Sequence, residues 1–337
     1  MKDRNVLKKP KKKKPLFDAT PQKNAFLPML LATVCMGITL LAVITSKFAY
    51  NFSREMLSPI ILQIIILLIP AYLCLLLIYP EKSPVAQMKT IGITKLHADY
   101  IFLIVFSSLL LISTSFLLHV IFGGVYPVSE GFSLLGIFTA GVGEYTVKFS
   151  YLILAYAVVP AICEELLFRG VLYNRFAEIN ENLAFWMSSI ISATFSFTLG
   201  GLPSALLLSF GLCFIRYTSG TLQSCMLVHF LFNLYAVFAQ TNLAKYFLSS
   251  QNTALLMIVI VGLWLISATL FFAECAKIFK KKADQIKNGN EISSLPSINL
   301  KSFGEEIKSI LAHRPTLICT AVFVLQFAAV TVISYIA

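Results

Sequence analysis

The sequence predicts an all-helical, polytopic membrane bundle of about nine spanning helices, and three observations carry that expectation. Of the 337 residues, 58% are apolar and only 13% are charged, about half the charged share of a soluble domain, and the mean hydropathy is +0.81. Apolar stretches near or above the ~18 residues that mark a spanning helix recur along the whole chain, which leaves no room for a large soluble domain. The 27 Lys and Arg residues gather in blocks beside these stretches rather than on a face interleaved with aromatics. That distribution fits membrane topology and argues against a nucleic-acid partner.

Taken in order, residues 1–25 form a lysine-rich tail, expected to be cytoplasmic and drawn to anionic lipid. The apolar run from Phe26 to Phe48 exceeds the ~7–15 residues of a secretory-signal core and reads as an uncleaved first helix. Helices at 57–79 and 100–123 complete an N-terminal transmembrane part, 26–123, and an extracytoplasmic loop, 124–147, follows. Four helices, at 148–173, 184–200, 203–217 and 221–240, make up a core, 148–240. Gly200-Gly201-Leu202-Pro203 separates the middle pair and the sixth helix is short, so eight spans plus a re-entrant element is the alternative count. An eighth transmembrane helix lies within 241–275. A cytoplasmic loop, 276–314, carries one short amphipathic helix near Glu305 to Ala312, and a last helix occupies 315–337. Most basic residues fall on the side of the N-terminal tail, which orients the chain N-in and C-out, as an odd number of spans requires. No internal repeat is evident, against transporters built from duplicated halves. The seven cysteines are dispersed singly through apolar segments and read as small buried hydrophobes.

Within the fourth helix stands Cys163-Glu164-Glu165-Leu166-Leu167-Phe168-Arg169-Gly170. Each carboxylate or guanidinium at the centre of a span costs about 2.5–3.5 kcal/mol, so three together need a polar interior and partners. Glu165 and Arg169 stand i, i+4 with the acid first, the favourable order for a pair on one helical face. Glu164 points about 100° away and has no partner within the helix, which suits a general base. In the seventh helix His229 and Asn233 again share a face at i, i+4. Counting inward from the same end of the bundle, Glu164 and His229 both lie roughly 12–14 Å deep at 1.5 Å per residue. Plain alternatives stand beside this reading: Glu165 and Arg169 as an architectural ion pair, and His229 and Asn233 as interhelical hydrogen-bonding groups. Neither His-Glu-x-x-His nor Gly-x-Ser-x-Gly occurs.

These residues resemble the CPBP family of CAAX-type (Abi-type) intramembrane proteases. Glu164-Glu165-x-x-x-Arg169-Gly170 matches the family's first motif and His229-x-x-x-Asn233 its last. Phe195 to Gly201, Gly211 and Tyr217 to Gly220 follow the spacing between them, and Thr90-Ile91-Gly92-Ile93 is a weaker similarity. The resemblance covers about 90 residues and departs at one place: Leu199 stands where the family has a histidine, four residues after Phe195. By resemblance, Glu164 is the base that activates water, Glu165 with Arg169 orients the site, and His229 with Asn233 stabilises the oxyanion. The resemblance also admits a divalent metal, for which Glu164 and His229 are the available ligands; no other cofactor is implied. The implied substrate is a lipidated or membrane-bound peptide or protein, in the lipid of a bacterial plasma membrane. The alternative is a catalytically impaired pseudoprotease acting as a binding or bacteriocin-immunity protein, for which Leu199 is the main support, because losing an acid/base partner costs about 10²–10⁴ in rate.

Overall fold

The computed structural model describes residues 24–48, 58–121, 149–196, 202–239, 253–288 and 298–336. The basic tail up to 23, the loop at 124–147, Leu199 and Gly201 lie outside the described residues. Eleven helices make up the described chain: α1 (Phe26–Phe48), α2 (58–78), α3 (Pro84–Thr90), α4 (Ile101–Ile121), α5 (149–177), α6 (Glu181–Thr194), α7 (Leu202–Ser219), α8 (Leu222–Ala239), α9 (Thr253–Lys287), α10 (Leu300–Leu311) and α11 (Arg314–Ile336). Seven of them are long and apolar enough to cross a membrane, and α8 is a shorter apolar helix. The chain is a polytopic membrane bundle.

The polarity of the bundle is that of a protein dissolved in lipid. Leu41, Leu77, Ile258, Phe272 and Leu325 are exposed, whereas Gln63, Glu165, Arg169, Ser188, Ser189, Ser224 and His229 are buried. All seven cysteines are buried and unpaired, as expected from their dispersal. Helices α1 and α11 pack along one another, as do α4 and α9, and α6 and α7, while α8 is enclosed by α4, α5 and α7.

Two helices widen into π turns just before a proline. In α2 the π turn is Ile64–Leu68, ahead of Pro70; in α5 it is Leu154–Val158, ahead of Pro160. Proline lacks an N–H and its ring presses on the carbonyl four residues back, so a wider turn at that point relieves the clash without ending the helix. A second π turn in α5, Leu166–Leu172, contains no proline. Here side chains take up three consecutive carbonyls: Ser188 Oγ donates to Phe168 O at 2.7 Å, Arg216 Nε to Arg169 O at 3.3 Å, and Asn174 Nδ2 to Gly170 O.

Several boundaries differ from the sequence expectation. The fifth helix, expected at 184–200, is the 14-residue α6, about 21 Å long and short of a ~30 Å hydrocarbon layer. It begins early because Asn180 caps it, accepting from Asn182 N at 2.8 Å. Helix α9 runs to Lys287, well past 275. Its lysine-rich end consists of good helix formers and packs Cys275, Ile278 and Phe279 against Leu103, Tyr100 and Phe214. The amphipathic helix expected near Glu305 to Ala312 begins at Leu300, capped by Asn299. It docks on α6 through a 5.5 Å stack of Phe303 on Trp186 and a reciprocal pair: Asn182 Nδ2 donates to Asn299 O at 3.0 Å, and Asn299 N to Asn182 Oδ1 at 2.8 Å.

Candidate active site

The wide turns of α5 bring its polar residues to the centre of the bundle, and α8 supplies the rest. Glu165 Oε1 accepts from Arg169 Nη1 at 3.0 Å and from His229 Nδ1 at 2.8 Å. An ionised carboxylate only accepts, so the proton of that second bond sits on Nδ1. The other ring nitrogen, Nε2, has no hydrogen-bond partner and lies 3.9 Å from Glu164 Oε2. Glu165 and His229 are at most 1% exposed, while Glu164 is 13% exposed. The two adjacent carboxylates are thus divided by environment, one consumed by Arg169 and His229, the other open.

Arg169 is held through both terminal nitrogens, while its Nε has no partner. Besides Glu165, Nη1 donates to Ser192 Oγ at 2.9 Å and Nη2 to Ser209 O at 3.1 Å, and Ser209 Oγ donates to Ser192 Oγ at 3.2 Å. These bonds offset part of the desolvation of a buried ion pair, with Glu165 Oε2 also left without a partner. A cavity of about 20 Å³ opens beside this network, lined by Glu164, Arg169, His229, Ser192, Ser196 and Phe195 among others. That volume suffices for one water. Phe195, the start of the stretch between the two motifs, packs edge-on against Phe168 at 5.1 Å. Four of the five expected site residues, Glu164, Glu165, Arg169 and His229, therefore meet. Asn233 is buried one turn along α8 from His229, its Nδ2 without a partner, and it is not among the cavity-lining residues.

Four further residues complete the surroundings, and sequence reading passed over them. Ser192 and Ser209 support Arg169, and Gln63, a single polar residue in the apolar α2, lies beside Glu164. Arg216, counted in the sequence as a topological charge, is 6% exposed and ties α7 to the ends of its neighbours. In addition to Arg169 O, it donates to Ile91 O at 3.2 Å, to Asn174 Oδ1 at 3.3 Å and to Gly220 O. Gly92 (φ +89°) lies directly under its guanidinium, where a Cβ would come within 2.6 Å of Cζ, and Gly92 O accepts from Leu222 N at 2.9 Å. The weak Thr90 to Ile93 similarity thus corresponds to a clasp behind the site.

Residues 146–235 match the family model described as type II CAAX prenyl endopeptidase Rce1-like. The chain contains an Rce1-like domain. No curated protein and no solved structure matches the chain. The Rce1-like domain runs from α5 into α8 and holds Glu164, Glu165, Arg169, His229 and Asn233; Gln63 and Gly92 come from helices and turns outside it. The matched model describes a family of CAAX-type endopeptidases and covers about a quarter of the chain.

Among the described residues, the donors at the site are too few for a resident metal held by three or more protein ligands. Glu164 and His229 offer two donors, Leu199 has no donor atom, and among the described residues no group of three or more His, Cys, Asp or Glu could hold a metal ion.

Proposed function

We propose that this protein is an intramembrane endopeptidase that cleaves a peptide bond of a lipidated or membrane-bound protein with water activated by Glu164. The observation that carries the proposal is the division of labour between the two carboxylates. Glu165 fixes His229 from one side, and the open Nε2 faces the open Glu164 across 3.9 Å. A water about 2.8 Å from each spans that gap with an angle near 90° at its oxygen, beside a cavity of matching size.

In this scheme Glu164 takes a proton from the water as its oxygen bonds to the scissile carbonyl carbon. The resulting oxyanion is stabilised by Asn233 Nδ2, an unpartnered donor one turn along α8, while His229 Nε2 accepts from the second O–H of the attacking water. Collapse breaks the C–N bond, and the proton held by Glu164 passes to the leaving amine. Glu165 and Arg169 keep the imidazole in place and do not exchange protons with substrate. The division into a 148–240 core, flanking transmembrane helices and a cytoplasmic 276–314 segment belongs to the same proposal, as does the N-in, C-out orientation in a bacterial plasma membrane. The basic blocks on one side of the spans support that orientation.

One observation favours a second reading. Leu199 stands where the resembling family has a histidine, so the chain could keep a peptide-binding site without cutting, as a binding or immunity protein. Purified protein offered a prenylated CAAX peptide separates the two. Cleavage by wild type that Glu164→Ala abolishes supports the enzyme; no cleavage by wild type, with activity gained in Leu199→His, supports the impaired form.

A further inference from the structure

Gln63 is the last residue before the first π turn of α2, and it is 0% exposed. Neither Nε2 nor Oε1 has a hydrogen bond of ordinary geometry. Its carboxamide nevertheless sits beside the Glu164 carboxylate, where the α2 stretch Ser58–Gln63 packs on the α5 stretch Val159–Glu165. A buried donor or acceptor left unmade costs about 1–3 kcal/mol, and in a span otherwise rich in Ile and Leu Gln63 has only its approach to the Glu164 carboxylate to set against that cost, with nothing for Oε1. For stability alone, leucine would serve better there.

The chemistry of the carboxamide indicates what completes it. It presents a donor and an acceptor side by side, and one residue of an extended peptide turns its own N–H and C=O to the same edge. We propose that Gln63 is a main-chain clamp: Nε2 donates to the carbonyl, and Oε1 accepts from the N–H, of one residue of an extended substrate segment laid across Glu164. This rests on the peptide-cleaving or peptide-binding reading of the site. His229 is 1% exposed, about as enclosed as Gln63, and the 13% exposed Glu164 beside both marks the entry.

The test uses the full-length protein in lipid nanodiscs and a dye-labelled, farnesylated CAAX peptide, together with variants in which each C-terminal amide in turn is replaced by an ester, which removes one N–H. Binding is read by anisotropy before cleavage. Wild type is expected to lose affinity severalfold at one ester position. Gln63→Leu should bind the all-amide peptide roughly tenfold more weakly, about two ordinary hydrogen bonds, show no further loss at that position, and melt at or above the wild-type temperature. Equal binding by Gln63→Leu, an unchanged ester penalty in that variant, or a melting temperature several degrees lower would each overturn the clamp. If wild type binds no peptide of the series, the peptidase reading falls together with the clamp; if wild type binds and the variant matches it, only the clamp falls.

Discussion

Replacing Arg169 by methionine probes the most enclosed cation among the described residues. The side chain is 1% exposed and donates to Glu165 Oε1, Ser192 Oγ and Ser209 O at 3.0, 2.9 and 3.1 Å. Methionine fills much of the same space but strands the Glu165 carboxylate, 0% exposed, with His229 as its remaining partner. Removing one member of a buried pair costs about 3–5 kcal/mol, whereas removing both is often close to neutral. The expectation is therefore a loss of about 4 kcal/mol for Arg169→Met and recovery of roughly half of it in Glu165→Gln/Arg169→Met. Unfolding by SDS titration in mixed micelles, followed by circular dichroism, measures both. A single-variant loss under about 1 kcal/mol, or a double variant as damaged as the sum of the two singles, would refute the coupling.

Gly92→Ala forces a Cβ into the Arg216 guanidinium at φ +89°, while Gly220→Ala at φ +70° has nothing within 4 Å of its new methyl group. The first should cost about 2–3 kcal/mol and the second about 1 kcal/mol, the conformational penalty alone, and equal losses in thermal unfolding would contradict the clasp. Asn182→Ala removes the reciprocal pair with Asn299, about 2 kcal/mol at ~1 kcal/mol per bond. Amide exchange within Leu300–Leu311 should accelerate roughly 30-fold, and unchanged exchange would show that α10 is held by its apolar face instead.

The features legible in sequence are those with a period or a cost attached. Apolar stretches of spanning length reveal a membrane bundle, and Glu165 with Arg169 at i, i+4 inside one of them reveals a partnered pair, observed at 3.0 Å. Equal depth for Glu164 and His229 is also legible, because rise per residue is constant along a helix. Three-body arrangements are not. That Glu165, and not Glu164, receives His229 depends on how α8 is rotated against α5, which the spacing of one helix does not contain. Gln63 carries no periodic signal, since a single polar residue in an apolar span looks the same whether it faces a site or a neighbouring helix. Arg216 was hidden by its place near a helix end, where a basic residue already has a topological explanation. The start of α6 at Glu181 and the length of α9 differ from the expectation because hydropathy follows lipid contact, whereas these helix ends are set by the Asn180 cap and by packing of Ile278 and Phe279.

The account's central claim is that Glu164 and His229 hold a water for attack on a peptide carbonyl. Incubating the protein with a prenylated CAAX peptide in ¹⁸O-labelled water and weighing the products tests it most directly. The account predicts a shortened peptide carrying one ¹⁸O in its new C-terminal carboxylate, formed by wild type and not by Glu164→Ala. Intact peptide after wild-type incubation, or a labelled product formed equally well by Glu164→Ala, would contradict it.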